Sequence, residues 1–179
     1  MRKLLNSELD RKTIAEYKDS EKSPFIIVLD NVRSQNNVGS VFRTADAFLV
    51  EAIYLCGITA QPPHRDIQKT ALGATESVPW KYFPSTSDAI KELKSNGVVI
   101  IAVEQVEGSI MLQDLIIEPC KKYAFIFGHE INGVSQEIID MCDLCVEIPQ
   151  FGVKHSFNIA VSSGIVLWEA NIKNAHNRK

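Results

Sequence analysis

Phe25-Ile26-Ile27-Val28-Leu29 is an unbroken apolar run, rich in β-branched side chains, that follows Pro24 and stops at the polar stretch Asp30-Asn31-Val32-Arg33-Ser34-Gln35-Asn36. Apolar residues at every position, rather than at every second one, mark a strand buried on both faces. Runs of the same kind recur at 52–56, 98–103 and 123–127, and more weakly at 144–148. Helical patterns lie between them. From Asn37 onward, Val38, Val41, Phe42, Ala45, Phe48 and Leu49 recur at steps of three and four, which is one face of a helix. Ser87 is expected to cap a helix running to Ser95 and closed by Asn96-Gly97, and Ser135 to cap 136–141. Residues from Ser156 to about Asn174 form an apolar terminal helix. Alternating buried strands and helices predict an α/β domain, a mostly parallel sheet with helices on both faces. In such sheets ligands sit outside the carboxyl ends of the strands, so the loops after the apolar runs are where chemistry is to be sought.

The chain has 179 residues, 45% of them apolar, with 19 Lys+Arg against 22 Asp+Glu and a formal net charge of −3. That length suffices for one domain with a real core. No internal repeat or Gly/Ser-rich linker divides it, so residues 25–179 read as one unit behind an N-terminal helical extension, 1–24. The extension carries Leu5, Leu9 and Tyr17 among charges and is expected to be helical over about 4–20, stopping before Ser23-Pro24. No stretch reaches the roughly 18–20 apolar residues of a membrane span, and the start has no signal-peptide core. A cytoplasmic setting is expected. Four cysteines, unevenly spaced, read as reduced thiols and not as a disulfide scaffold.

Three strand-end loops stand out. The first opens the helix bearing Arg43, which lies at about 140° on a wheel whose apolar stripe spans about 280–40°, so Arg43 points away from the core. Free N–H groups at that helix start favour a phosphate. The second is Phe127-Gly128-His129-Glu130-Ile131-Asn132-Gly133, two glycines bracketing a carboxylate. The third is Ile148-Pro149-Gln150-Phe151-Gly152, leading to Lys154-His155-Ser156-Phe157-Asn158 at the start of the last helix.

Together these segments resemble the three motifs of the SpoU, or TrmH-type, RNA 2′-O-ribose methyltransferases of the SPOUT superfamily. Residues 37–43 are similar to N-x-G-x-x-x-R, residues 127–133 to F-G-x-E-x-x-G, and residues 148–165 to I-P-M-x-G-x-x-x-S-L-N-V-S-V-A-A-G-I, in the same order and at matching separations over about residues 25–170. Gln150 stands where Met is usual and Phe157 where Leu is usual; neither change removes a polar group. The resemblance implies a C-terminal trefoil knot, S-adenosylmethionine held in it, a homodimer, and tRNA or rRNA as substrate. It implies cofactor contacts at Val103, Glu104, Gly128, Ile148, Ser156 and Phe157. It also implies a catalytic set in which Arg43 meets the target phosphate and the developing alkoxide, while Asn37, Glu130, Ser156 and Asn158 orient the groups. A Glu130–Arg43 pair is expected to fix the guanidinium. Relatives commonly carry an RNA-binding domain ahead of the catalytic one; here about 24 residues stand there, so the chain reads as nearly a bare catalytic domain.

Cys142-Asp143-Leu144-Cys145 invites a redox or zinc reading, but no second pair completes a four-ligand set and the segment continues as strand. No metal is expected. Two rival functions are a SPOUT base methyltransferase, against which the motif-one arginine speaks, and a non-catalytic RNA- or cofactor-binding module, against which the joint retention of Asn37, Arg43, Glu130, Ser156 and Asn158 speaks. The acidic balance is uneven: residues 97–146 hold two basic and eight acidic side chains, while 147–179 hold four basic and two acidic. RNA affinity is therefore expected from local basic patches and to be salt-sensitive.

Overall fold

Seven strands form a single sheet in the computed structural model, which describes residues 1–176. They are β1 (Ser23–Asp30), β2 (Val50–Cys56), β3 (Trp80–Phe83), β4 (Val99–Val103), β5 (Ile110–Met111), β6 (Tyr123–Phe127) and β7 (Leu144–Glu147). Their order is β3-β2-β1-β6-β4-β7-β5 and every pairing is parallel. The predicted mostly parallel sheet is thus fully parallel among the described residues.

Side chains of the central strands alternate between two cores. Phe25, Ile27 and Leu29 of β1 join Tyr123, Phe125 and Phe127 of β6 on one face; Ile26 and Val28 join Ala124 and Ile126 on the other. The first face is covered by α1 (Ile14–Asp19), α2 (Gln35–Ala47), α3 (Arg65–Ala71), α4 (Ala74–Ser77) and α7 (Ile159–His176), the second by α5 (Thr86–Ser95) and α6 (Gln136–Met141). Burial on both faces is why the β1 run has no polar alternation.

Several boundaries differ from the sequence reading. The extension is helical only over α1, where Thr13 and Glu16 form a reciprocal capping box, plus one 3-10 turn at Asn6–Glu8. Helix α2 begins two residues before Asn37 because Ser34 accepts the Asn37 N–H. Ser85, not Ser87, caps α5. Helices α3 and α4 and strands β3 and β5 went unread, being only two to seven residues long, too short to show a period. Helix α7 starts at Ile159, so Ser156 lies in the loop ahead of it.

The chain runs outward from β1 to β2 and β3, then crosses to β4 on the far side of β6. That reversal of strand order opens a crevice at the carboxyl ends of the strands.

Candidate active site

The loop after β6 is folded tightly on itself. His129 N–H donates to the Gly133 carbonyl (3.1 Å) and Gly133 N–H to the His129 carbonyl (2.8 Å), while His129 Nδ1 accepts the Ile131 N–H at 3.0 Å. Two glycines make the fold possible. Gly133 has φ +63°, and a Cβ there would lie 2.1 Å from Glu104 Oε2; a Cβ on Gly128 would lie 2.2 Å from the Gly133 carbonyl carbon. Glu104, just beyond β4, secures this approach: Oε2 accepts the Val134 N–H (2.9 Å) and Oε1 the Gln105 N–H (3.0 Å).

Beside this loop lies a cavity of about 540 Å³, bounded by the chain after β4, after β6 and between β7 and α7. Val103, Glu104, Gly128, Ile148, Ser156 and Phe157 all line it, as do Glu130 and Asn158. Gln105, Asn132 and Ser162 line it too and were not singled out in the sequence. Gln105 follows Glu104 directly, but Ser162 comes to the cavity only because α7 packs beneath it.

Glu130 turns away from the role expected of it. Its Oε2 accepts the Arg33 N–H (3.0 Å) and its Oε1 the Ser34 N–H (2.9 Å), with the Asn37 amide at 3.4 Å. Partial burial pushes the Glu130 carboxyl up, but these donors outweigh it and hold the group below its ordinary value. The carboxylate therefore grips the two residues just ahead of α2, while in the first turn of the helix the Asn37 N–H goes to Ser34 Oγ. No Glu130–Arg43 ion pair forms: Arg43 is exposed and bonds to no described residue. The physical reason is reach, because Arg43 stands six residues, about 9 Å, further along the helix than Asn37.

Asn37 passes the link onward. Its Oδ1 accepts the Asn158 Nδ2–H at 3.1 Å, and Asn158 Oδ1 accepts the Ala160 N–H at 2.9 Å, capping α7. A chain of hydrogen bonds thus runs Glu130–Asn37–Asn158 and joins segments 121 residues apart at its widest single step. Of the five catalytic candidates, three are in contact, Ser156 lines the cavity beside them, and Arg43 lies outside it.

Cys142 and Cys145 are free thiols. Burial raises both, Cys142 to about 12, which is the opposite of an activated thiolate. Among the described residues no three His, Cys, Asp or Glu side chains converge as a metal site.

The sequence profile of the SpoU rRNA methylase family matches residues 24–168. This chain belongs to that family. It is 31% identical over 146 residues to the 23S rRNA (guanosine-2′-O-)-methyltransferase RlmB of Neisseria meningitidis, covering 82% of this chain and 57% of that protein. It is 28% identical over 163 residues to the tRNA (guanosine(18)-2′-O)-methyltransferase of Aquifex aeolicus, covering 89% and 74%. The crystal structure of an AdoMet-bound rRNA methyltransferase from Sinorhizobium meliloti superposes with a TM-score of 0.79 at 28% identity, over 87% of this chain and 59% of that one. The chain thus spans less than two thirds of the length of several SpoU relatives it matches. No helix among the described residues is long and apolar enough to cross a membrane.

Proposed function

We propose that this SpoU-family protein is an S-adenosylmethionine-dependent RNA methyltransferase acting on a ribose 2′-hydroxyl of tRNA or rRNA. The observation that carries the reading is the Glu130–Asn37–Asn158 chain, whose two ends, Glu130 and Asn158, line the 540 Å³ cavity. It couples two separate loops to the first turn of α2 at a sheet's carboxyl end, where a ligand is expected. The donor set suits the cofactor: Val103, Glu104, Gly128, Ile148, Ser156 and Phe157 would hold it, and the cavity volume lies within the roughly 300–1,000 Å³ of small-ligand sites. A side chain on Gly128 or Gly133 would displace the backbone that walls this space. When bound, the sulfonium supplies an already activated methyl group.

The protein's own residues then have to position the acceptor. Arg43, a guanidinium exposed on α2, would bind the phosphate beside the target ribose and stabilise the alkoxide as it forms. Asn37 and Asn158 would set the relative position of α2 and the loop before α7. Ser156 supplies a hydroxyl at the cavity wall, and Glu130 fixes the start of α2.

The reading includes the trefoil knot of the family, in which α7 follows a segment drawn through the loop after β4, and a division into an arm, 1–24, and a catalytic domain. It also includes a cytoplasmic setting and a homodimer. The dimer is supported by α7, on which Val161 and Trp168 are 50% and 61% exposed one heptad apart, an apolar seam of the kind helices bury against a partner. Incubation with methyl-labelled S-adenosylmethionine and bulk tRNA or rRNA, then nucleoside analysis, tests the activity. A 2′-O-methylnucleoside is expected; label on a base, or on no RNA, overturns it.

A further inference from the structure

A second groove adjoins the cavity at Glu130. It has a volume of about 660 Å³ and shares His129, Glu130 and Ile131 with the cavity as a common wall. Its remaining lining comes from Arg33, Ser34, Gln35 and Ile58. Ile131 and Ile58 are 78% and 65% exposed, so two bare aliphatic side chains flank a groove whose other members are polar.

The charges in it are unequal in availability. The Glu130 carboxylate is committed to the Arg33 and Ser34 N–H groups and to Asn37. The Arg33 side chain is exposed and forms no ion pair with a described residue. His129 Nδ1 accepts backbone N–H groups, which leaves the neutral ring its proton on Nε2 as a donor. Among the described residues the groove thus offers one free cation, Arg33, and apolar walls. These match an anionic strand carrying flat apolar faces: single-stranded RNA read by splayed-out bases.

We propose that this groove seats an unstacked nucleobase of the RNA between Ile58 and Ile131, with Arg33 on the adjoining phosphate. The inference rests on the RNA reading above and deepens it by naming where the strand is gripped. A base taken out of its stack is held between apolar or aromatic side chains. Because His129, Glu130 and Ile131 line both spaces, a base held in the groove brings its attached ribose beside the cavity. Arg33, Ile58 and Ile131 are positioning residues and have no part in the chemistry.

Binding of fluorescently labelled bulk tRNA and rRNA and methyl transfer to the same RNAs test this separately. Arg33→Ala and the double variant Ile58→Ser/Ile131→Ser weaken RNA binding about tenfold or more. Arg33→Ala, whose side chain is outside the cavity lining, leaves S-adenosylmethionine affinity within about twofold, and Ile131→Leu retains wild-type RNA binding. Arg33→Ala also lowers the slope of log affinity against log salt by about one, a change that a merely structural role would not produce. Variants that bind both RNAs like wild type overturn the groove whatever their methylation. Wild-type protein that binds RNA through the groove but transfers no methyl group overturns the activity and leaves the groove standing. Wild-type protein that binds neither RNA overturns both.

Discussion

The carboxyl ends of β1, β2 and β3 and those of β4, β6 and β7 belong to the same edge of one parallel sheet, yet the first group is sealed at its buried base, with only the groove at Arg33, Ser34, Gln35 and Ile58 outside the seal, and the second is open. On the sealed side the loops satisfy one another. Thr59 donates to the Leu29 carbonyl (3.0 Å) and accepts the Val32 N–H (2.9 Å). Buried Asp30 accepts from Thr86 and from the Asn31 amide, and Asn31 Oδ1 accepts the Ile58 N–H at 3.2 Å. On the open side, residues 151–158 are exposed and without regular structure, and the loops bound a cavity instead of filling it. The difference teaches a division of labour: the sealed end is a fixed platform, and its outermost amides, of Arg33 and Ser34, are what Glu130 of the open end grips.

The largest expected effect falls on the open side. Arg43→Ala lowers methyl transfer by about 10²–10³-fold while cofactor affinity, measured by calorimetry, stays near wild type; turnover close to wild type removes Arg43 from the mechanism. Glu130→Gln turns an acceptor oxygen into a donor facing a backbone N–H, and activity falls roughly 10–100-fold. Hydrogen exchange at the Arg33 and Ser34 amides accelerates in the same variant, and unchanged exchange would detach the two ends from each other.

Gly133→Ala forces a left-handed residue into Glu104 and weakens cofactor binding about tenfold. Gly97→Ala, also at positive φ but facing open space, is the control that alters only stability. On the sealed side, Thr59→Val leaves the buried Val32 N–H without its acceptor and costs about 1–3 kcal/mol, read as a Tm lower by several degrees with cofactor affinity unchanged. The smallest effect is a pH limb. Because the Glu130 carboxyl is held below its ordinary 4.5, its contribution is complete above that pH and is lost as pH falls through the lowered folded value. Amide exchange at Arg33 and Ser34 followed between about pH 3 and 6 shows this limb in wild type and not in Glu130→Gln.

The strands with unbroken apolar runs were legible because burial on both faces leaves a signature in consecutive residues. Strands β3 and β5 were not, since four and two residues at an edge carry no such run. Arg43 was legible as outward-facing from helical period alone, and Asn37, Glu130, Ser156 and Asn158 as site candidates from their motifs, although the last helix begins at Ile159 and not at Ser156. The partner of Glu130 was not. A carboxylate near an arginine in a motif suggests an ion pair, but two backbone N–H groups 96 and 97 residues away are closer.

By itself, then, the sequence determined the period of each element, the residue types at the strand ends and the three motifs that identify the family. Only the tertiary structure decided which strand ends would seal and which would open. That choice depends on sheet order, which places β6 between β1 and β4 and so sets which distant loops lie within hydrogen-bonding reach.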